Sequence, residues 1–163
     1  MKLSLRPIAL GLIAVAFSAL LLDRARAGGG HYFAPVADTT VKAECGSCHL
    51  AFAPSMLPAR SWKRMMTDLN NHFGDDASVD AATADRITSY LVANAADING
   101  GRHSAKLMRG VSANSSPLRI TELPKWVDKH REVADWEWKK KDVRTKANCA
   151  ACHIDAERGY YDD

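Results

Sequence analysis

Cys45-Gly46-Ser47-Cys48-His49 and Cys149-Ala150-Ala151-Cys152-His153 are the two stretches from which the rest of the chain is read. Cys-x-x-Cys-His is the c-type haem attachment pattern: two thiols add to the haem vinyl groups and the histidine that follows takes an axial position on the iron. Two intervening residues set the sulfurs about one helical turn apart, within reach of one porphyrin edge. All four cysteines of the chain lie inside the two motifs, so none is left for another thiol chemistry. A zinc site built from Cys-x-x-Cys pairs has its second pair roughly 15 to 20 residues from the first, whereas about a hundred residues intervene here and a histidine follows each pair. A thioredoxin-like redox site explains one pair but not two, and calls for a preceding strand.

Working outward to the N-terminus, residues 1–27 read as a secretory signal peptide. Lys2 and Arg6 begin it, Ile8 to Leu22 form an apolar run, and Ala25-Arg26-Ala27 offers small residues for cleavage. The run is shorter than the roughly 20 residues that span a bilayer, which disfavours a retained anchor. Removing residues 1–27 takes Lys2, Arg6, Arg24 and Arg26 but only Asp23, leaving 18 basic residues against 18 acidic ones. A neutral mature chain lacks the basic footprint that nucleic acid requires. About 136 residues remain, a length that buries limited apolar surface on its own, so two porphyrins would form a large part of the core.

The mature chain reads as mainly helical, with no useful strand alternation. Residues 28–37 form an extended leader, and Asp38 caps a short helix that delivers Cys45 and Cys48. Pro54 and Pro58 mark a loop. A second helix is expected from Ser61 to Phe73, with Trp62, Met65, Met66, Leu69 and Phe73 on its apolar face and His72 at the edge of that stripe. A third runs from Ala81 to Ala96, capped by Asp80, with Ile87, Tyr90, Leu91 and Asn94 inward. Three helices around one haem motif resemble a small class I cytochrome c domain. Residues 100–117 are rich in Gly, Ser, Asn and basic side chains and read as a linker. Thr121 then caps a helix bearing Leu123, Trp126, Val127 and His130, Lys139 to Asp142 form a solvated turn, and a last short helix from Thr145 to Glu157 carries the second motif. The expected organisation is a signal peptide (1–27), an N-terminal haem domain (28–99) and a less regular C-terminal haem segment (100–163).

Two six-coordinate haems need four axial ligands. His49 and His153 supply two, and His72 and His130, each beside apolar and aromatic residues, are the candidates for the others. His31 in the leader and His103 in the linker read as solvated. Met65 and Met66 read as core fillers. Proximity in sequence assigns His72 to the first haem and His130 to the second, with a crossed arrangement left open. Asp75, Asp76 and Asp80 read as loop and cap residues, and no catalytic triad, phosphate loop or carboxylate pair emerges. Arg102, Lys106, Arg109 and Arg119 are read as propionate partners or solvated residues, with a docking patch for an acidic partner as the alternative.

Glu44-Cys45-Gly46-Ser47-Cys48-His49, Leu57-Pro58-Ala59-Arg60-Ser61-Trp62, His72-Phe73-Gly74, Asp76-Ala77-Ser78, Leu118-Arg119-Ile120-Thr121, His130-Arg131-Glu132 and Ala147-Asn148-Cys149-Ala150-Ala151-Cys152-His153 together resemble the bacterial dihaem cytochrome c family. The resemblance covers nearly the whole mature chain, apart from residues 28–37 and the surroundings of His103. It implies a periplasmic electron carrier with two covalently bound, low-spin, bis-histidine haem c groups; iron saturated in that way has no site for oxygen, peroxide or nitrite, so no enzymatic activity is expected. It also implies a membrane cytochrome b as donor and a small oxygen-binding monohaem cytochrome c as acceptor. Export agrees with it, because c-type cytochromes acquire their haem outside the bacterial cytoplasm. The alternative is a ligand-binding or peroxidase-like dihaem enzyme or sensor with one labile axial site.

Overall fold

Asp38 opens the first helix, α1 (Thr39–Cys45). Its carboxylate accepts from the main-chain N–H groups of Thr40 and Val41 at 2.9 and 3.0 Å, satisfying donors that a helix start leaves orphaned. The same carboxylate meets Arg86 at 2.9 Å, which ties α1 to α3 (Ala81–Ala93). Between them, α2 (Ala59–Met66) follows a 3-10 turn at Pro54–Met56 and starts where the Ala59 N–H donates to the Asp97 carboxylate at 2.7 Å. Asp80 caps α3 by accepting from the Thr83 N–H at 3.1 Å. Two short helices complete the set, α4 (Arg102–Leu107) and α5 (Pro124–Lys129), with further 3-10 turns at Leu69–Asn71, Ile120–Glu122, Glu137–Lys139, Cys149–Ala151 and Ala156–Arg158. The computed structural model describes residues 30–161, so the signal-peptide reading of 1–27 lies outside the described residues. Among the described residues there is no strand beyond two isolated bridges, and no helix is long and apolar enough to cross a membrane.

One apolar cluster, Val36, Val41, Leu57, Trp62, Ile87, Leu91, Ala95 and Leu123, joins α1, α2 and α3 to the residue that precedes α5. Burying each of its larger aliphatic side chains contributes about 1.5–3 kcal/mol, so Leu123 ties the C-terminal part of the chain to the N-terminal helices. Trp62 is buried with its indole N–H donating to the Pro54 carbonyl at 2.7 Å, which offsets the desolvation of that group. A second cluster of Phe33, Ala53 and Met56 sits with Leu107, Ile120 and Tyr161.

Several sequence expectations are corrected. The helix expected through Phe73 ends at Met66 because its last amides switch to the carbonyl three residues back, Thr67 to Arg64 and Asp68 to Met65. The Thr67 hydroxyl also takes the Arg64 carbonyl at 2.7 Å, local competition of the kind that ends helices. α3 stops at Ala93 because the Asn94 side-chain amide takes the Tyr90 carbonyl at 2.9 Å. The stretch read as a linker carries α4, with Ser104 buried. Thr121 lies in a 3-10 turn and caps nothing; α5 begins at Pro124, whose fixed φ suits a first helical position. No α-helix forms from Thr145 to Glu157. Arg144 has φ +66°, and the Asn148 amide bonds the Asp142 and Val143 carbonyls at 3.1 Å each, which leaves only two 3-10 turns in that stretch.

From residue 30 to 37 the leader holds no helix, but it is packed. Phe33 and Val36 are buried, the Phe33 N–H donates to the Gly159 carbonyl at 2.9 Å, and the Tyr161 N–H donates to the His31 carbonyl at 3.0 Å. Gly159 makes that clasp possible. Its φ is +87°, and a Cβ there would meet the Phe33 carbonyl oxygen at 2.2 Å.

Candidate haem centres

At the first centre, α1 ends at Cys45 and the chain turns through Cys48 to His49. The His49 Nδ1 lies 2.7 Å from the Leu50 carbonyl, a contact in which Nδ1 carries the proton and Nε2 keeps the lone pair that a metal would need. The ring stacks on Phe52 at 5.1 Å and faces His72 at 6.2 Å, with only 20° between the two histidine planes. His72 stands in a turn closed by its own N–H to the Asp75 carbonyl at 2.8 Å, not on a helix face. Burial, then the neighbouring His49 and Arg119, hold the His72 pKa below the ordinary histidine value against the pull of Asp75, which favours the neutral ring a metal ligand requires.

At the second centre the turn at Cys149–Ala151 brings the His153 N–H onto the Cys149 carbonyl at 2.9 Å. The centres of the His153 and His130 rings lie 6.1 Å apart, here with 82° between the planes. His130 ends α5, with Nδ1 2.8 Å from the Trp126 carbonyl and its ring stacked on the Trp126 indole at 4.0 Å and 15°. Tyr161 lies edge-on to His153 at 5.6 Å. An open cleft of about 330 Å³, lined in part by Val133, Trp138 and Val143, reaches Cys152.

These separations provide a test of fit. A first-row metal ion bonded to two opposed imidazoles at about 2 Å each places the ring centres roughly 6 Å apart. The ring of His49 lies beside that of His72, and the ring of His130 beside that of His153, each pair at a separation that fits the test. None of the four cysteines is in a disulfide. Burial raises the Cys45 thiol, with Glu44 adding to it, and pushes Cys149 up to about 11, so both stay protonated at neutral pH. Among the described residues no three His, Cys, Asp or Glu side chains converge as a tetrahedral zinc site would need.

His31 and His103 are not simply solvated. Their rings lie 5.7 Å apart, His103 Nδ1 accepts from the Tyr32 N–H at 2.9 Å, and Lys106 Nζ sits 3.3 Å from His31 Nε2. Arg119 stands over the Phe73 ring at 3.8 Å and meets Glu122 at 3.5 Å. Sequence reasoning missed the roles of Phe52, Phe73 and Tyr161 beside the histidines. For Trp126 the signal was present, since it precedes His130 by four residues on one helical face.

Two Cys-x-x-Cys-His motifs with two facing histidine pairs in a small helical fold define a class, the multihaem c-type cytochromes. The profile of one family, described as Dihaem cytochrome c, matches residues 41–161. Among solved structures, the chain is similar to a diheme cytochrome c from Rhodobacter sphaeroides, at 47% identity and a TM-score of 0.71, over 78% of this chain and 98% of that one. It is also similar to a diheme cytochrome c from Shewanella baltica, at 34% identity and a TM-score of 0.62, over 76% of this chain and 86% of that one. No curated protein matches. The chain belongs to the dihaem cytochrome c family. It carries two covalently attached haem c groups and is an electron-transfer haem protein.

Proposed function

We propose that the protein is a periplasmic electron carrier with two bis-histidine haems, exported by a signal peptide at 1–27 that is then cleaved. In this reading Cys45 and Cys48 hold the first haem by thioether bonds, with His49 and His72 on the two faces of its iron, within residues 28–99. Cys149 and Cys152 hold the second, with His153 and His130 as axial ligands, within residues 100–163. The observation that carries the reading is the separation of 6.2 and 6.1 Å between the paired histidine rings.

The haem iron, when bound, supplies a one-electron couple. The task of the chain is to orient the imidazoles, fill both faces of each iron and set the two potentials. Main-chain carbonyls at Leu50 and Trp126 orient His49 and His130. Histidine at all four axial positions favours lower potentials than His/Met ligation, since methionine raises the potential. Filled faces leave no position for oxygen or peroxide, which favours a carrier over an enzyme. A membrane cytochrome b is the donor in this proposal, and a small oxygen-binding monohaem cytochrome c the acceptor.

Adding cyanide to the oxidised protein and carbon monoxide to the reduced protein tests the reading. Low-spin spectra that both ligands leave unchanged on the mixing timescale are expected. Rapid binding by the protein as isolated would overturn saturation and favour a catalyst or sensor. Reduction by the partner that slows with rising ionic strength would support charge-assisted docking.

A further inference from the structure

The four histidines at the two centres are not held equally. The rings of His49 and His130 are tied through Nδ1 to main-chain carbonyls, whereas no hydrogen bond to the His72 ring is present among the described residues. His72 depends on its turn, and that turn is strained. Phe73 has φ +60°, a region bulky side chains rarely occupy, and Gly74 follows at +108°. The Phe73 ring packs on His72 with centroids 4.7 Å apart, and the Arg119 guanidinium lies over the same ring, 3.8 Å from its centre.

Arg119 is itself delivered by a braced loop. Arg60 donates to the Ser112 carbonyl at 3.0 Å and to that of Ser115, and Arg64 donates to the Ser116 carbonyl at 3.3 Å, so the loop before Arg119 is fastened to α2. Glu122 meets Arg119 at 3.5 Å from the following 3-10 turn. That carboxylate offsets much of the guanidinium's long-range field, which leaves the contact with Phe73 as the larger effect.

We propose that Arg119 is a positioning residue of the first haem centre: stacked on Phe73, it latches the strained 72–75 turn and so keeps the His72 imidazole opposite His49. The proposal rests on His72 being an axial ligand. It adds a residue 47 positions away in sequence as the reason that ligand stays in place. Cation–π contacts at partly exposed sites are modest, so the latch changes how often His72 lifts by about two- to five-fold.

The test uses the oxidised holoprotein with cyanide, which enters only when an axial ligand has left the iron. Arg119→Ala should speed cyanide binding at one haem about two- to five-fold while the spectrum of the other haem is unmoved. Phe73→Leu, which removes the platform but keeps the charge, should do the same, and it carries the test if Arg119→Ala does not fold. Arg119→Lys, which keeps a cation over the ring, should restore slow binding. Parent-like rates in both Arg119→Ala and Phe73→Leu, or equal acceleration at both haems, would overturn the latch. A His72→Ala protein that keeps both haems low-spin would overturn the ligand assignment, and the latch with it. If His72→Ala turns one haem high-spin while Arg119→Ala stays slow, the latch alone is overturned.

Discussion

The two haem centres use the same five-residue motif and are built in different ways. At the first, an α-helix capped by Asp38 presents the motif, and the second histidine comes from a strained turn braced from elsewhere in the chain. At the second, the motif lies in a 3-10 turn and its partner histidine ends a helix, backed by the indole and the carbonyl of one tryptophan. Both arrangements reach the same ring separation, but the paired planes are 20° apart at one centre and 82° at the other. The motif therefore secures attachment, and in the proposed reading the surrounding backbone decides how each iron is held.

Removing one ligand breaks the comparison most sharply. His130→Ala should turn one haem high-spin and leave the other low-spin, as read in the optical and paramagnetic resonance spectra of the oxidised protein. An unaltered spectrum would refute the assignment of His130. Gly159→Ala should come next. A Cβ on that left-handed residue meets the Phe33 carbonyl, and the strain costs about 1–3 kcal/mol. Thermal unfolding of the holoprotein should shift downward, with Tyr161 and the second centre loosening before the first; an unchanged Tm would mean that the terminal clasp contributes nothing.

A smaller change acts from the other side. The Val41 amide, then the Arg86 guanidinium, hold the Asp38 carboxyl below its ordinary range. A depressed carboxylate stabilises the fold fully above its unfolded pKa of about 3.9, and the contribution is lost as pH falls through that value towards the folded one. Asp38→Ala should therefore lower Tm at pH 7, and the gap to the parent should narrow progressively below about pH 4. A gap independent of pH would show that the charge plays no part. The smallest effect is expected at Ser61, whose buried hydroxyl has no hydrogen-bond partner among the described residues. Ser61→Ala should leave stability within about 0.5 kcal/mol or raise it, with both centres unmoved; a larger loss would reveal a hydrogen bond that the fold depends on.

What the sequence made legible was local. The cysteines and the histidines after them are set by five-residue motifs, and Asp38 and Asp80 cap helices through atoms no more than three residues away. The placement of His72 was misread because the apolar stripe continues past Met66, while the chain leaves the helix through a hydroxyl and a shift of hydrogen-bond register. The Asn148 side chain displaced the expected last helix by binding carbonyls five and six residues back. The packing of Phe33 against Gly159 and the stack of Arg119 on Phe73 join residues far apart in the chain, so no periodicity announces them.

The most direct test of two bis-histidine centres is a paramagnetic resonance spectrum of the fully oxidised protein. Near-parallel imidazoles act on the same iron d orbital and separate it from its partner, whereas crossed imidazoles act on both alike. Two low-spin signals of equal weight are predicted, one rhombic from the His49 and His72 pair and one strongly anisotropic from the His130 and His153 pair. A high-spin signal of comparable weight, or a single equivalent of low-spin iron per chain, would contradict the account.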